Sequence, residues 1–158
     1  MFIQVNSGAI SGIEAVEVTA EINVAEGGLG LYIVGLPDNT IKESEERIQA
    51  AFENSGYRLI PKKTIVNLAP ADLRKEGSHY DLAIAVGILT ATEQIHTTML
   101  EGSMFIGELS LNGHIRPVKG ILPLVAMARD KGLKRVFMPQ DNTSEGAVVE
   151  GIECIGVE

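Results

Sequence analysis

The stretch that decides the fold runs from Val66 to Leu89, VNLAPADLRKEGSHYDLAIAVGIL. The β-branched residues Thr64, Ile65 and Val66 at its start predict a strand, and the apolar segment Leu82–Leu89 predicts a buried helix. The polar loop between them concentrates charged residues, which is typical of a functional site because a scaffold holds the exposed loop in place. A solvated loop whose polar residues only cap the helix explains the pattern equally well.

The composition predicts one folded domain spanning residues 1–158. Hydrophobic residues make up 45% of the chain and charged residues 22%, as in ordinary globular proteins. The 13 basic and 21 acidic residues give a net charge of −8, which argues against a protein that coats DNA by itself. Trp is absent and aromatic residues make up 4%, so base-stacking platforms are not expected. A local basic patch remains compatible with these numbers.

Cysteine and histidine usage exclude several kinds of site. Cys154 is the only cysteine, so no intramolecular disulfide can form, and its apolar neighbours predict a core position. His79, His96 and His114 are far apart in sequence, so no metal site is expected. The N-terminus MFIQVNSGAI does not resemble a signal peptide, and no apolar run is long enough to span a membrane. We therefore expect a cytoplasmic location.

The first quarter of the chain predicts strands. Val16–Val24 alternates apolar with polar residues, which indicates a half-buried strand with an acidic outer face. A glycine-rich turn, Gly27–Gly30, leads to the apolar segment Leu31–Val34. We expect these two strands to form an antiparallel hairpin, with Phe2–Val5 as a third member.

Helices alternate with strands in the rest of the chain, which predicts an α+β or mixed α/β fold. A helix is expected from the Pro37–Thr40 start signal to Gly56. The Asn112-Gly113 pair predicts a two-residue type I′ turn between strands Met104–Leu111 and His114–Val118. The remaining predicted elements are a helix between Gly120 and Gly132, strands Lys134–Met138 and Ile152–Val157, and a short helix within Asp141–Val148.

Nucleotide-binding motifs are missing from the chain. There is no G-x-x-x-x-G-K-[ST] segment, so the chain carries no phosphate-binding P-loop. The cluster Gly27–Gly30 lacks the third glycine of a dinucleotide fingerprint, because position 33 is Ile33. We interpret it as a turn between strands.

Four segments together resemble the N-terminal domain of the competence protein ComM family, which is also called magnesium-chelatase-like. They are VGLPDNTIKES (Val34–Ser44), the Val66–Leu89 stretch, GELSLNGHIRPVKGIL (Gly107–Leu122) and KRVFMPQDN (Lys134–Asn142). The resemblance runs in order over nearly the whole chain. It implies a Lon-protease-like α/β domain of the two-layer ribosomal-protein-like type, related to the C-terminal domain of RadA.

The same resemblance allows a test for peptidase residues. Lon-type proteases use a Ser nucleophile activated by a Lys. The matching positions of this chain are His79 and Leu122, so both catalytic groups are missing. Ser78 and Lys119 lie nearby as an alternative, displaced dyad, but Ser78 is expected to cap a helix and Lys119 to lie in an exposed turn. We therefore expect no catalytic residues in this chain.

The resemblance also implies a larger assembly. In the ComM family this domain precedes an AAA+ ATPase that forms hexameric rings and drives branch migration of DNA during natural transformation. The 158 residues end where that ATPase begins in the family, so the chain is expected to be an expressed fragment or a truncated gene product. No cofactor is expected in this chain, since ATP and Mg²⁺ would belong to the ATPase domain. A homo-oligomer is the expected state.

Carried onto this chain, the resemblance suggests contact residues in two places. Arg74 and Lys75, in the loop Ala71–Gly77, and Arg116 and Lys119, after the predicted hairpin, are candidates for sequence-independent DNA contact. Contact between subunits, in an assembly or regulatory module that never touches DNA, explains the same residues equally well. A ring would add avidity that one copy lacks. Asp72 and Asp81 are expected to orient the loop, by capping or by pairing with Arg74.

Overall fold

The structure is a computed structural model that describes all 158 residues. The strands are β1 (Phe2–Ser11), β2 (Glu14–Ala25), β3 (Leu31–Val34), β4 (Lys63–Ala69), β5 (Ser103–Phe105), β6 (Glu108–Leu109), β7 (Ile115–Arg116), β8 (Arg135–Pro139) and β9 (Glu153–Val157). Seven of them form a central sheet in the order β3-β4-β2-β1-β5-β8-β9, beside a two-stranded hairpin, β6-β7. The helices are α1 (Asn39–Lys42), α2 (Ser44–Ser55), α3 (Asp81–Ala91), α4 (Ile121–Asp130) and α5 (Thr143–Gly146).

All strands of the large sheet except β2 run in one direction. β2 is antiparallel to β1 and β4, whereas the β3–β4, β1–β5, β5–β8 and β8–β9 pairs are parallel. The carboxyl ends of β1, β3, β4, β5 and β8 therefore meet at one end of the sheet. The loops 35–38, 70–80 and 106–120 all leave the sheet at this end, which is where open α/β sheets commonly bind ligands.

Helices pack on both faces of the sheet at points of close approach. Gly87 of α3 faces β2, where an added methyl group would lie 2.3 Å from Ile22 Cδ1. Gly8 of β1 faces α4, where an added methyl group would lie 2.8 Å from Leu124 Cδ2. Glycine at both positions lets the helices sit closer to the strands than any side chain would allow. The α4 face stays uncovered beyond β2, where Tyr32 is exposed.

The mixed α/β class is confirmed, but one strand pairing was predicted wrongly. β2 forms its hairpin with the long strand β1 and not with β3, which lies parallel to β4. The small residues Ser7 and Gly8 obscure the alternation of β1 in the sequence, although Ser7 is buried. The turn at Gly12 closes the β1–β2 hairpin with a left-handed backbone, φ 67°.

Two further predictions needed correction. The segment expected as one helix is broken at Glu43 into α1 and α2. The hairpin turn is longer than a type I′ turn: Ser110 N donates to His114 O (2.9 Å), which closes a three-residue loop. A type I′ turn needs two left-handed residues, whereas Gly113 is the only residue of this loop with a left-handed backbone. The Asn112 side chain accepts from His114 N (3.1 Å), which stabilises the wider turn.

Candidate functional site

The buried side chain of Lys75 connects the charged loop after β4 to the loop after β3. Its side chain is fully buried, and its Nζ donates to the carbonyl oxygens of Gly35 (2.8 Å) and Pro70. Its backbone N–H donates to Leu36 O at 3.0 Å. Burial lowers the pKa of the Lys75 amine. The loops that follow β3 and β4 are therefore joined through one buried cation.

Asp38 makes the second connection between these loops. One carboxylate oxygen caps α1 by accepting from Ile41 N (2.8 Å), and the other accepts from Gly77 N (3.0 Å). The Asp38 N–H donates to Lys75 O at 3.0 Å. Both ends of the Lys75–Gly77 segment are thus held, so the exposed side chains on the loop project from a fixed backbone.

The placement of the loop residues corrects two predictions. Lys75 was expected to contact DNA or another subunit, but its burial leaves no surface for either contact. Asp72 was expected to orient the loop, but it is exposed and forms no hydrogen bond, and Asp38 orients the loop instead. Arg74 is exposed and pairs with Glu76 at 3.3 Å.

Asp81 orients the hairpin and not the loop. This fully buried first residue of α3 accepts from Arg47 Nε (2.6 Å), Ser44 Oγ (2.7 Å) and Leu109 N (3.1 Å). Burial raises the pKa of Asp81, an effect that Arg47 and Ser44 oppose, and the pKa of Arg47 is raised by its bond to Asp81. The expected pairing of Asp81 with Arg74 is therefore replaced by a buried pair with Arg47.

Ser78 is hydrogen-bonded to an acidic residue of the hairpin. Its hydroxyl donates to the carboxylate of Glu108, and the other oxygen of that carboxylate lies 3.7 Å from Arg116 Nε. Lys119 is exposed and forms neither a hydrogen bond nor an ion pair. The displaced Ser78–Lys119 dyad is not assembled in this arrangement.

His79, at the position where the resemblance to Lon-type proteases places the nucleophile, precedes α3 and contacts β1. Its Nε2 lies 2.7 Å from Gly8 O, and because a carbonyl can only accept, Nε2 carries the proton. The ring packs against the Tyr80 ring, with 4.0 Å between centroids and an angle of 35° between the ring planes. Burial lowers the pKa of His79, which favours the neutral ring. Tyr80 is fully buried, and its hydroxyl has no partner.

Asn142 fixes the segment that carries Lys119. Its side-chain oxygen accepts from Val118 N (2.9 Å), and its amide donates to Val118 O (3.0 Å). The roles of Asn142, Asp38 and Glu108 were missed in the sequence, since each acts on a residue distant in the chain. The only local signal was the start motif containing Asp38.

The structure brings three of the four predicted contact residues to one end of the sheet. Arg74 and Ile10 line a cleft of about 250 Å³, and Gly120 packs on Ile10. Ser78 connects the same loop to Arg116 through Glu108. We name the surface formed by Arg74, Arg116 and Lys119 the strand-end surface. Lys119 is its only basic residue without an acidic partner.

The chain offers neither a cluster of metal ligands nor a membrane-spanning helix. No three His, Cys, Asp or Glu side chains come together closely enough to hold a metal ion. None of the helices combines the length and the hydrophobicity needed to cross a membrane.

Comparison with known proteins gives the family. Residues 20–142 match the family described as subunit ChlI of Mg-chelatase. The chain is 39% identical to the uncharacterized protein YifB of Escherichia coli, in an alignment that covers 96% of the chain and 30% of YifB. It is also 39% identical to the competence protein ComM of Haemophilus influenzae, in an alignment that covers 92% of the chain and 28% of ComM. Lon protease 2 of Bacillus subtilis is 29% identical over 97% of the chain and 29% of that protease. The chain spans less than a third of these relatives, and it belongs to the magnesium-chelatase ChlI-like family that includes ComM and YifB.

Proposed function

We propose that this chain is a non-catalytic domain of a ComM-type, ATP-driven DNA-remodelling protein that catalyses branch migration. In this proposal the strand-end surface contacts the DNA backbone without reading its sequence. ATP and Mg²⁺ would act in a separate ATPase domain of the same protein. The domain would be N-terminal to that ATPase, as the resemblance to the ComM family suggests.

The observation that carries this proposal is the convergence of Arg74, Arg116 and Lys119. Each lies on a segment fixed by buried polar contacts: Lys75 beneath Arg74, Asp81 beside the hairpin of Arg116, and Asn142 beside Lys119. Cations on fixed backbone lose little conformational freedom when they meet phosphates. Their attraction to DNA depends on charge and on the release of counterions.

The charge of the whole domain explains why several copies would be needed. A net charge of −8 opposes the approach of DNA to a single copy. A homo-oligomer, hexameric in the family as the resemblance implies, would present the strand-end surface several times to one duplex. Linked weak contacts then act together, which raises the overall affinity.

A second candidate function is subunit contact through the same surface. Arg74 and Arg116 already have acidic partners, Glu76 at 3.3 Å and Glu108 at 3.7 Å. A surface of alternating charge can complement another protein surface as well as a polyanion. In this case the domain would organise the assembly and leave DNA to the ATPase.

The proposal that the domain is non-catalytic rests on the residues at the Lon positions. His79 and Leu122 supply neither the serine hydroxyl nor the lysine amine of the Lon dyad, and the Ser78 hydroxyl is hydrogen-bonded to Glu108. We expect no labelling by a serine-directed phosphonate. Labelling that disappears in Ser78→Ala would show a reactive serine and would support the peptidase alternative.

The central experiment separates DNA contact from subunit contact. In the protein at its native length, Arg116→Gln combined with Lys119→Gln should weaken DNA binding while the oligomer stays intact. Lys131→Gln combined with Lys134→Gln is the matched control, because both are exposed cations between α4 and β8, at the opposite end of the sheet. Dissociation of the oligomer by the double variant would support the second candidate.

The link to an ATPase has its own test. An immunoblot of the source cells with antibody against this domain measures the mass of the native polypeptide. A band far above 16.9 kDa is expected if the domain is part of a larger motor. A band at 16.9 kDa would remove the ATPase and leave a binding or regulatory module.

A further inference from the structure

The hairpin formed by β1 and β2 extends beyond its neighbouring strands at the end of the sheet that carries the strand-end surface. β4 ends opposite Thr19, so residues Glu14–Val18 of β2 continue past it. On the other side, β1 pairs with β5 at Asn6, and residues Gly8–Ser11 continue past the end of β5. A strand of that length spans about 13 Å, so the hairpin forms a projection beyond both strands.

The base of this projection is held at Gly8. His79 Nε2 donates to Gly8 O at 2.7 Å. Helix α4 packs against the same residue, since a methyl group added to Gly8 would lie 2.8 Å from Leu124 Cδ2. Val18, at the base of the other strand, is fully buried. The hairpin is therefore fixed where it leaves the sheet, and its tip has a defined position beside the strand-end surface.

The tip of the hairpin is apolar and open to solvent. Ser11 pairs with Glu14, which leaves Gly12 and Ile13 as a two-residue turn. Gly12 is the first residue of this turn and has a left-handed backbone, φ 67°, as tight hairpin turns of type II′ require. Ile13 is 95% exposed, and Ile10 is 41% exposed. Polar residues and glycine are the usual turn residues, so an isoleucine at this position contributes nothing to the core and is free to contact a partner.

Two cations of the strand-end surface lie beside this tip. Arg74 lines the same cleft as Ile10 and Ser11. Gly120, which follows Lys119, packs on Ile10, because a methyl group added to Gly120 would lie 3.1 Å from Ile10 Cγ1. Ile10 thus connects the apolar tip to both cations. A nucleic acid whose phosphates bind Arg74 and Lys119 would bring its bases close to the tip.

The charges at the tip favour bases over phosphates as its contact. Glu14, which follows the turn, is exposed and forms no ion pair, so its carboxylate repels the DNA backbone. Ile13 carries neither a charge nor a hydrogen-bond donor with which to bind a phosphate. Isoleucine is among the apolar side chains that DNA-binding proteins insert between neighbouring bases, while nearby cations hold the phosphates.

We propose that the tip of the β1–β2 hairpin inserts Ile13 between adjacent bases of DNA bound at the strand-end surface. This inference rests on the proposed DNA contact and adds a second kind of contact to it. The burial of isoleucine and the phosphate contacts of Arg74 and Lys119 offset the cost of separating two stacked bases. Because isoleucine forms no side-chain hydrogen bond, the insertion unstacks bases without reading their sequence.

Base stacking is the readout that phosphate contacts alone do not change. A short duplex can carry a fluorescent adenine analogue whose emission is quenched by stacking, and binding of the native-length protein should raise that emission. Ile13→Ser should abolish the rise and weaken DNA affinity by about threefold to tenfold. It should leave the salt dependence of binding unchanged, because no phosphate contact is lost.

Leu29→Ser is the matched control. Leu29 is an apolar side chain that is 66% exposed in the glycine-rich turn before β3, at the opposite end of the sheet, so this variant should behave like the unchanged protein. Both substitutions replace exposed side chains, so both variants should fold.

Three results would overturn the inserted isoleucine. An unchanged rise in emission in Ile13→Ser, while Arg116→Gln with Lys119→Gln still weakens DNA binding, would show that the surface binds DNA without unstacking it. Dissociation of the oligomer by Ile13→Ser would show that the tip contacts another subunit. DNA binding that neither Ile13→Ser nor the double variant changes would remove the proposed DNA contact as well.

Discussion

The buried carboxylate of Asp81 on α3 receives the guanidinium of Arg47 on α2, with 2.6 Å between Oδ2 and Nε. The Ser44 hydroxyl and the Leu109 backbone N–H also donate hydrogen bonds to this carboxylate, so Asp81 holds α2, α3 and β6 together. The hairpin that carries Arg116 is fixed by this pair. The strand-end surface is therefore positioned in part by Asp81, which is itself fully buried.

Asp81→Asn should lower the free energy of unfolding by about 3 kcal/mol. The change leaves the mostly buried Arg47 cation without a counter-charge, which is costlier than losing the attraction alone. Denaturation with urea measures the effect. Glu76→Gln is the control, because it removes an exposed pair and should change stability by at most about 0.5 kcal/mol. A loss below about 1 kcal/mol for Asp81→Asn would contradict the assigned role.

Lys75→Met should destabilise the protein by about 1–3 kcal/mol and loosen the loops after β3 and β4. Methionine fills a similar volume but leaves Gly35 O and Pro70 O without their donor. Urea denaturation and amide hydrogen exchange over residues 70–78 measure the two effects. Arg74→Met, on the exposed side of the same loop, should leave both unchanged. Equal effects from the two variants would mean that Lys75 is not the anchor.

The lowered pKa of His79 should make the free energy of unfolding depend on pH. Folding lowers the pKa of His79 below its unfolded value of about 6.5, so the unfolded chain binds a proton first as the pH falls. The contribution of His79 is therefore complete above about pH 6.5 and declines below it, by at most about 1.4 kcal/mol per pH unit. His79→Gln retains an amide donor for Gly8 O and should flatten this part of the curve. Parallel curves for the two proteins would show that His79 is not buried as described.

Glu93→Gly should stabilise the protein by about 0.5–1 kcal/mol. Glu93 follows α3 in a left-handed conformation, φ 60°, which glycine adopts without strain. The midpoint of thermal unfolding reports the change. Glu93→Ala keeps the Cβ and should give no gain, so a gain of similar size from alanine would attribute the effect to the removal of the charge.

Local patterns predicted the parts of the fold that depend on neighbouring residues. The alternation in Val16–Val24 identified β2, and the unbroken apolar run Leu82–Leu89 identified α3, which is buried on nearly all sides. Gly56 ends α2 in the expected left-handed conformation. Each of these signals lies within one element, where periodicity and capping act directly.

Contacts between residues distant in the chain could not be predicted from the sequence. Nothing near Lys75 signals its burial, because the carbonyl that it binds at Gly35 belongs to another loop. The Asp81–Arg47 pair joins residues 34 positions apart, and the Asn142–Val118 pair joins residues 24 apart. A charged loop was therefore interpreted as uniformly exposed, whereas it divides into one buried anchor and one exposed cation.

The salt dependence of DNA binding tests the central claim most directly. The logarithm of the affinity of the native-length protein for duplex DNA should fall linearly with the logarithm of salt concentration. Arg116→Gln with Lys119→Gln should reduce that slope by about one for each phosphate that the variant no longer neutralises. Lys131→Gln with Lys134→Gln, which removes as much charge elsewhere, should leave the slope unchanged. An unchanged slope in the double variant, with the oligomer intact, would show that the strand-end surface does not contact DNA.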